Sequence, residues 1–290
     1  MAGFFRIYNN QLSLAGNTKR LGFNSNNPMF IPDEYLEKKE FIVMRTCHGI
    51  GDWCLISGLP RLLKEKYPDC KVYIPSSTML KNIYGSMLDN WGYGTYDCSQ
   101  ITHDVFQNNP HVDGFIDSSE DEIFHDHYRI YNEKKDEIPL TEQMLKFWQF
   151  NENEMEDYTP ELYFSKEEKE LGDKIIKEHV GDKSFGSLMI SNRYDFTQDK
   201  IIVDLLKEND LPYFYYSSKP LHQTDFNFIK KALDLNHIPT RIQLYIRSKA
   251  KINIGNQCGT NHCIVRYSDV YEVQRQPILG HNFVKGENYI

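Results

Sequence analysis

Two glycine-bearing stretches, one near each end of the chain, concentrate the side chains able to do chemistry. The first is Arg45-Thr46-Cys47-His48-Gly49-Ile50-Gly51-Asp52. It follows the hydrophobic run Phe41-Ile42-Val43-Met44 and leads into an apolar-periodic segment. That order reads as a buried parallel strand, a tight loop and a helix. Such a loop offers backbone N–H groups and one carboxylate, Asp52, at the mouth of a sheet, where α/β proteins bind ligands. The second stretch is Gly255-Asn256-Gln257-Cys258-Gly259-Thr260-Asn261-His262. We expect each stretch to supply half of one active site.

The surrounding pattern says what must position them. A strand is predicted at 41–46. Segment 53–66 repeats Leu55, Leu59, Leu62 and Leu63 at a helical period, and Pro60 inside it predicts a kink or a displaced helix start. A strand at 71–75, a helix at 78–89, a short strand at 114–117 and a helix at 141–150 follow. The polar segment from Asn151 to Pro160 disfavours helix at Thr159-Pro160 and is read as a boundary. It separates a domain at 1–155, with an extra N-terminal arm at 1–39, from a domain at 156–290. The alternation then restarts. Helix 166–180 leads to strand 185–190, helix 200–208, strand 213–217 and helix 224–234. A short helix at 242–249, a strand at 251–254 and a helix from about Thr260 complete it. The tail 276–290 is irregular by pattern. The expected fold class is α/β, with two Rossmann-like, doubly wound domains facing each other across a cleft.

Composition narrows the function classes. A net charge of -8 argues against a general polyanion binder. No apolar run approaches the eighteen or so residues of a membrane span. Met1 leads into a polar, Asn-rich stretch rather than a signal peptide, so a cytoplasmic protein is expected. The six cysteines show no zinc spacing and no close pairing pattern, and are read as reduced thiols. Residues 1–32 contain no Asp or Glu and read as an extended or hairpin-like arm. The acidic run 117–137 reads as a solvated surface. His125 and His127 within it lack the helical spacing of a metal pair.

The chain resembles glycosyltransferase family 9, the heptosyltransferase-like group with the GT-B fold. Arg45, Gly49-Ile50-Gly51-Asp52, a helix with Pro60, Leu62 and Leu63, and Tyr67-Pro68-Asp69 before a strand look like its N-terminal signature. Asn192-Arg193, followed by Lys200 and a helix, resembles its donor-phosphate segment. Ile242 to Ala250, Ile252 to Gly255, Gly259 and His262 resemble its C-terminal donor loop. The likeness covers about residues 40–270. It departs where the family usually has Asp-Ser/Thr-Gly-Pro, because this chain has Gln257-Cys258-Gly259-Thr260. The arm is an addition to the family pattern.

The resemblance implies transfer of a sugar from a nucleotide diphosphate to an acceptor hydroxyl. That chemistry needs a base for the hydroxyl, an aligned anomeric carbon and a stabilised diphosphate. Asp52 is the candidate base for an inverting displacement, although its position equally suits a helix cap. His48 is the alternative base or an acceptor contact, and otherwise a structural hydrogen-bonder. Arg45, Gly49 and Gly51 shape that loop. Asn192, Arg193, Lys200 and the loop Gly255, Asn256, Gln257, Cys258, Gly259, Thr260 and His262 are the candidate donor-binding set. Arg193 and Lys200 would add positive charge for phosphate, with Lys200 also readable as a surface lysine. Backbone N–H groups of the loop would meet the diphosphate, Gly255 and Gly259 would admit it closely, and Thr260 can donate a hydroxyl bond. His262 reads either as a core histidine or as a diphosphate contact, and Cys258 as a packing residue. No metal and no cofactor is expected beyond the nucleotide sugar, since the chain has no Asp-x-Asp pair. The acceptor is a glycan, a lipid-linked sugar or a hydroxylated base in DNA. A nucleotide-binding oxidoreductase and a non-catalytic module of the same fold are the competing readings.

Overall fold

The hydrophobic run after Lys39 becomes two short strands rather than one. In the computed structural model, β3 (Glu40–Ile42) and β4 (Met44–Arg45) join different sheets on either side of Val43. The structure describes residues 5–8, 11–14, 31–45, 49–84, 98–120, 123–126, 139–155, 157–191, 198–217, 233–234, 237–256, 258–273 and 288–290. The chain divides into two compact units, the first ending at Thr159 and the second beginning at Pro160.

In the first unit the N-terminal residues form a hairpin, β1 (Phe5–Tyr8) against β2 (Gln11–Leu14). β1 also pairs antiparallel with β7 (Ile123–Asp126), and β7 pairs parallel with β4. The expected solvated acidic run therefore contains a sheet strand, whose Ile123 is fully buried. A second sheet runs β3, β5 (Lys71–Pro75), β6 (Gly114–Ile116), all parallel. Helix α1 (Asp33–Glu37) sends Tyr35 and Leu36 inward. The predicted helix 53–66 is broken into α2 (Ile50–Cys54) and α3 (Leu59–Lys66). Pro60 lies in the first turn of α3, where its missing N–H costs nothing. Leu55, Leu59, Leu62 and Leu63 are all buried, as the period requires. Helices α4 (Ser77–Tyr84), α5 (Ile101–Phe106) and α6 (Leu140–Phe147) complete the unit. Phe106 meets Trp53 edge-on at 6.3 Å, which packs α5 against α2.

The second unit is one parallel sheet of six strands in the order β10-β9-β8-β11-β12-β13. These are β8 (Gly186–Ile190), β9 (Tyr213–Ser217), β10 (Leu233–Asp234), β11 (Ile252–Asn256), β12 (Asp269–Val273) and β13 (Asn288–Tyr289). Both faces are covered, as an all-parallel sheet demands. On one face Tyr213, Leu188, Ile190, Ile252 and Ile254 pack with Ile202 and Leu206 of α8 (Asp199–Asn209). On the other, Phe185, Phe214 and Tyr216 pack with Val180 of α7 (Lys166–Val180) and with Ile242 and Ile246 of α9 (Thr240–Lys249). Alternate residues of β9 thus serve opposite cores. Helix α7 starts on Ser165, whose hydroxyl and backbone N–H exchange bonds with Glu168. It stops at Gly181, where φ is 64°. The last two residues of the predicted helix 224–234 are strand β10, and the rest lies outside the described residues. The tail carries β13, against the expectation of irregular chain.

Among the described residues no helix is long and apolar enough to cross a membrane. The cysteine expectation is corrected at two positions. Cys54 and Cys263 each take part in a disulfide, while Cys70 and Cys258 are free thiols. Pairing depends on two Cβ vectors meeting in the fold, which sequence spacing alone does not encode.

One ion cluster ties the small sheet together. Asp113 accepts from the Val72 N–H at 2.8 Å, from Lys64 Nζ at 2.6 Å and from Lys71 Nζ at 3.1 Å. Burial alone would raise its pKa, but these bonds win and hold it down to about 2 from an ordinary 3.8. A carboxyl depressed by folding stabilises above its ordinary value and loses that contribution as pH falls through its folded value. The stability gap between the native protein and Asp113→Asn should therefore be constant at neutral pH. It should shrink from about pH 4 towards about 2, read by urea unfolding at each pH. A gap independent of pH would contradict the assignment.

Candidate functional site

The first candidate cluster is built where β4 hands over to α2. Asp52 is the third residue of α2 and is partly exposed. Its Oδ2 accepts the Gly49 N–H at 3.2 Å, so the carboxylate closes the helix start. A Cβ at Gly49 would stand 3.2 Å from that oxygen, so the carboxylate would have to give by a few tenths of an ångström. Gly51 is buried inside α2. Arg45, at the end of β4, is 0% exposed. Its Nη1 donates to the backbone carbonyl of Asp52 and to Met144 Sδ. Arg45 therefore acts on Asp52 from behind and has no surface of its own to offer an acceptor. His48 lies outside the described residues.

The second cluster surrounds the turn from β11 into the short helix α10 (Gly259–His262). Gly255 sits inside β11, and a Cβ there would stand 2.4 Å from the Met189 carbonyl oxygen of β8. Strand packing alone is enough to require glycine at this position. Asn256 is 0% exposed. Its Oδ1 accepts the Ser191 N–H at 2.7 Å, and its Nδ2 donates to Ser191 Oγ at 2.8 Å. It thereby fixes the end of β8, just before 192–197. Asn192 and Arg193 fall in that segment and, with Gln257, lie outside the described residues. Lys200 is exposed in the first turn of α8. His262 is 5% exposed, in keeping with a core histidine. Cys258, Gly259 and Thr260 are partly exposed.

Behind this turn lies a polar network that sequence reasoning passed over. Glu272 of β12 is 0% exposed and stands opposite Gly255 in the strand register. Its Oε2 accepts the Cys258 N–H at 3.1 Å and Asn261 Nδ2 at 3.1 Å. The first N–H of the turn is thus engaged by protein. Arg247 of α9 is 2% exposed. It donates to Thr260 Oγ1 at 2.6 Å and to Asn261 Oδ1 at 2.7 Å. Asn261 bridges the buried cation and the buried anion and also holds the Asn256 carbonyl at 3.2 Å. One signal for Glu272 was available. It shares the inward phase of β12 with Val270, where an acid needs partners. Among the described residues no group of three His, Cys, Asp or Glu is placed to hold a metal ion.

No family model matches the chain. No curated protein matches it in sequence. Among solved structures it is similar to a glycosyl transferase family 9 protein from Veillonella parvula DSM 2008, with a TM-score of 0.51 and 10% identity over 87% of this chain and 84% of that one. It is also matched to ADP-heptose lps heptosyltransferase II from E. coli, with a TM-score of 0.45 and 12% identity over 87% of this chain and 89% of that one. At such identity the first likeness speaks to fold, and with the parallel sheets above it places the chain in the α/β class of GT-B type.

The packing account of Gly255 is directly testable. Gly255→Ala must push its methyl into the Met189 carbonyl, so we expect a loss of about 1–3 kcal/mol in stability. Thermal and urea unfolding measure it. A neutral result would return Gly255 to the role of a ligand-facing glycine.

Proposed function

We propose that this protein is a glycosyltransferase that moves a sugar from a nucleotide diphosphate to an acceptor hydroxyl, by inversion and without a metal ion. The observation that carries the reading is Asp52. It is a partly exposed carboxylate at the opening of the helix that follows the first-unit strand, and its Oδ2 accepts the Gly49 N–H. The fold likeness and the ordered motifs at 45–69 and 242–262 support the same reading.

In this reading Asp52 takes the proton from the acceptor hydroxyl as the oxygen attacks the anomeric carbon. Gly49 N–H and Arg45 hold the carboxylate and its peptide in place, so no reorganisation is needed at the moment of transfer. The C–O bond to the diphosphate breaks as the new bond forms, and the departing nucleoside diphosphate carries the negative charge. The turn 258–262, with Lys200, Asn192 and Arg193, is assigned to that group. Glycan and lipid-linked sugar acceptors are favoured over DNA by the net charge of -8.

Two measurements test it. A thermal-shift panel of nucleoside diphosphates and their sugars should contain one ligand that stabilises by about 2.7 kcal/mol at a hundred times its dissociation constant. With that donor, Asp52→Asn keeps an acceptor for the Gly49 N–H but cannot take a proton. Transfer should fall by about 10²–10⁴-fold with donor affinity unchanged. Undiminished transfer by Asp52→Asn would remove the base from the account.

A further inference from the structure

We infer that Thr260 is a phosphate-binding hydroxyl and that Arg247, which is almost fully buried, is the positioning residue that turns its proton outward. The inference rests on the glycosyl-transfer reading and names how the diphosphate would be gripped.

The argument starts from what a guanidinium can do. It has five N–H donors and no acceptor. At 2.6 Å from Arg247 Nη1, Thr260 Oγ1 must be accepting. The single hydroxyl hydrogen then points elsewhere. A second neighbour of the oxygen is Cys258 Sγ at 3.2 Å. A thiol sulfur is a weak acceptor and a weak donor, so it cannot hold that hydrogen against a phosphate oxygen. Accepting from a cation also polarises the hydroxyl and makes it a better donor. Thr260 is partly exposed while Arg247 is 2% exposed, so the hydroxyl is open to a ligand and the charge that polarises it is not.

Arg247 has little freedom to adopt another pose. Its Nη2 is bonded to Asn261 Oδ1 at 2.7 Å. Its guanidinium carbon lies 5.6 Å from the centroid of the Tyr216 ring. Tyr216 is itself held neutral, because burial drives its pKa up while the Arg247 charge opposes that rise. Asn261 is pinned in turn by Glu272 and by the Asn256 carbonyl. The network therefore places one oriented O–H donor, rather than a mobile rotor, on the turn.

The test is calorimetric titration with ADP, GDP, CDP and UDP and with the four parent nucleosides. It uses the native protein, Thr260→Val, Thr260→Ser, Arg247→Lys and the double variant Arg247→Lys with Thr260→Val. For the diphosphate that binds the native protein, Thr260→Val should weaken affinity roughly tenfold and Thr260→Ser should restore most of it. Nucleoside affinity should not move in either. Arg247→Lys should weaken diphosphate binding too, and the double variant should be no weaker than the weaker single variant. Additive losses, or parallel losses for nucleoside and diphosphate, would overturn the inference and mark Arg247 as purely structural. Should Arg247→Lys fail to fold by circular dichroism, the Thr260 pair decides. Equal binding by Thr260→Val and the native protein then refutes the hydroxyl grip. A native protein that binds none of the four diphosphates overturns the functional reading and this inference with it.

Discussion

A guanidinium removed from water depends on the protein for its partners, and among the described residues both units bury at least one. Arg45 is 0% exposed and Arg247 is 2% exposed. Truncating one partner of a buried charge typically costs about 3–5 kcal/mol, because the remaining group is left uncompensated. Such a residue therefore dictates the conformation of whatever it touches. Arg45 touches the peptide of Asp52. Arg247 touches Thr260 and Asn261. In both units a buried cation bonds a partly exposed residue, Asp52 in one and Thr260 in the other.

The second unit shows what this arrangement requires. Arg247 needs a counter-charge, and Glu272 on the neighbouring strand supplies one through the Asn261 amide. Asn256 links the same turn to the end of β8. The four residues come from α9, β11, α10 and β12, so the turn is held from several directions. A loop built this way is preorganised, and a ligand binding it would spend little on ordering it. The buried carboxylate at 272 also consumes the Cys258 N–H, which leaves the Thr260 hydroxyl as the better-defined donor.

Much of this was legible in the chain, for identifiable reasons. Strands at 71–75 and 213–217 and the helix at 166–180 fall where the sequence pattern placed them, because local pattern and tertiary structure agree there. Pro60 announced the displaced start of α3. Strand β7 was hidden by its acidic flanks, since a strand completed by partners from residues 5–8 and 44–45 carries no local signature. The glycine at 255 was noticed for ligand approach, while its close packing on the Met189 carbonyl across the strand pair has no signature in one dimension. Residue type alone does not mark Arg247 or Glu272 as buried. Their roles appear only when strand order brings position 272 opposite position 255.

The central claim is that a sugar diphosphate is held by the turn whose geometry Arg247 and Glu272 set. A crystal structure of the protein with a bound nucleoside diphosphate tests it most directly. The account predicts a phosphate oxygen at hydrogen-bond distance, about 2.5–3.0 Å, from Thr260 Oγ1, with the Arg247 contact to that oxygen retained. A diphosphate bound elsewhere, with the Thr260 hydroxyl facing only water, would contradict it.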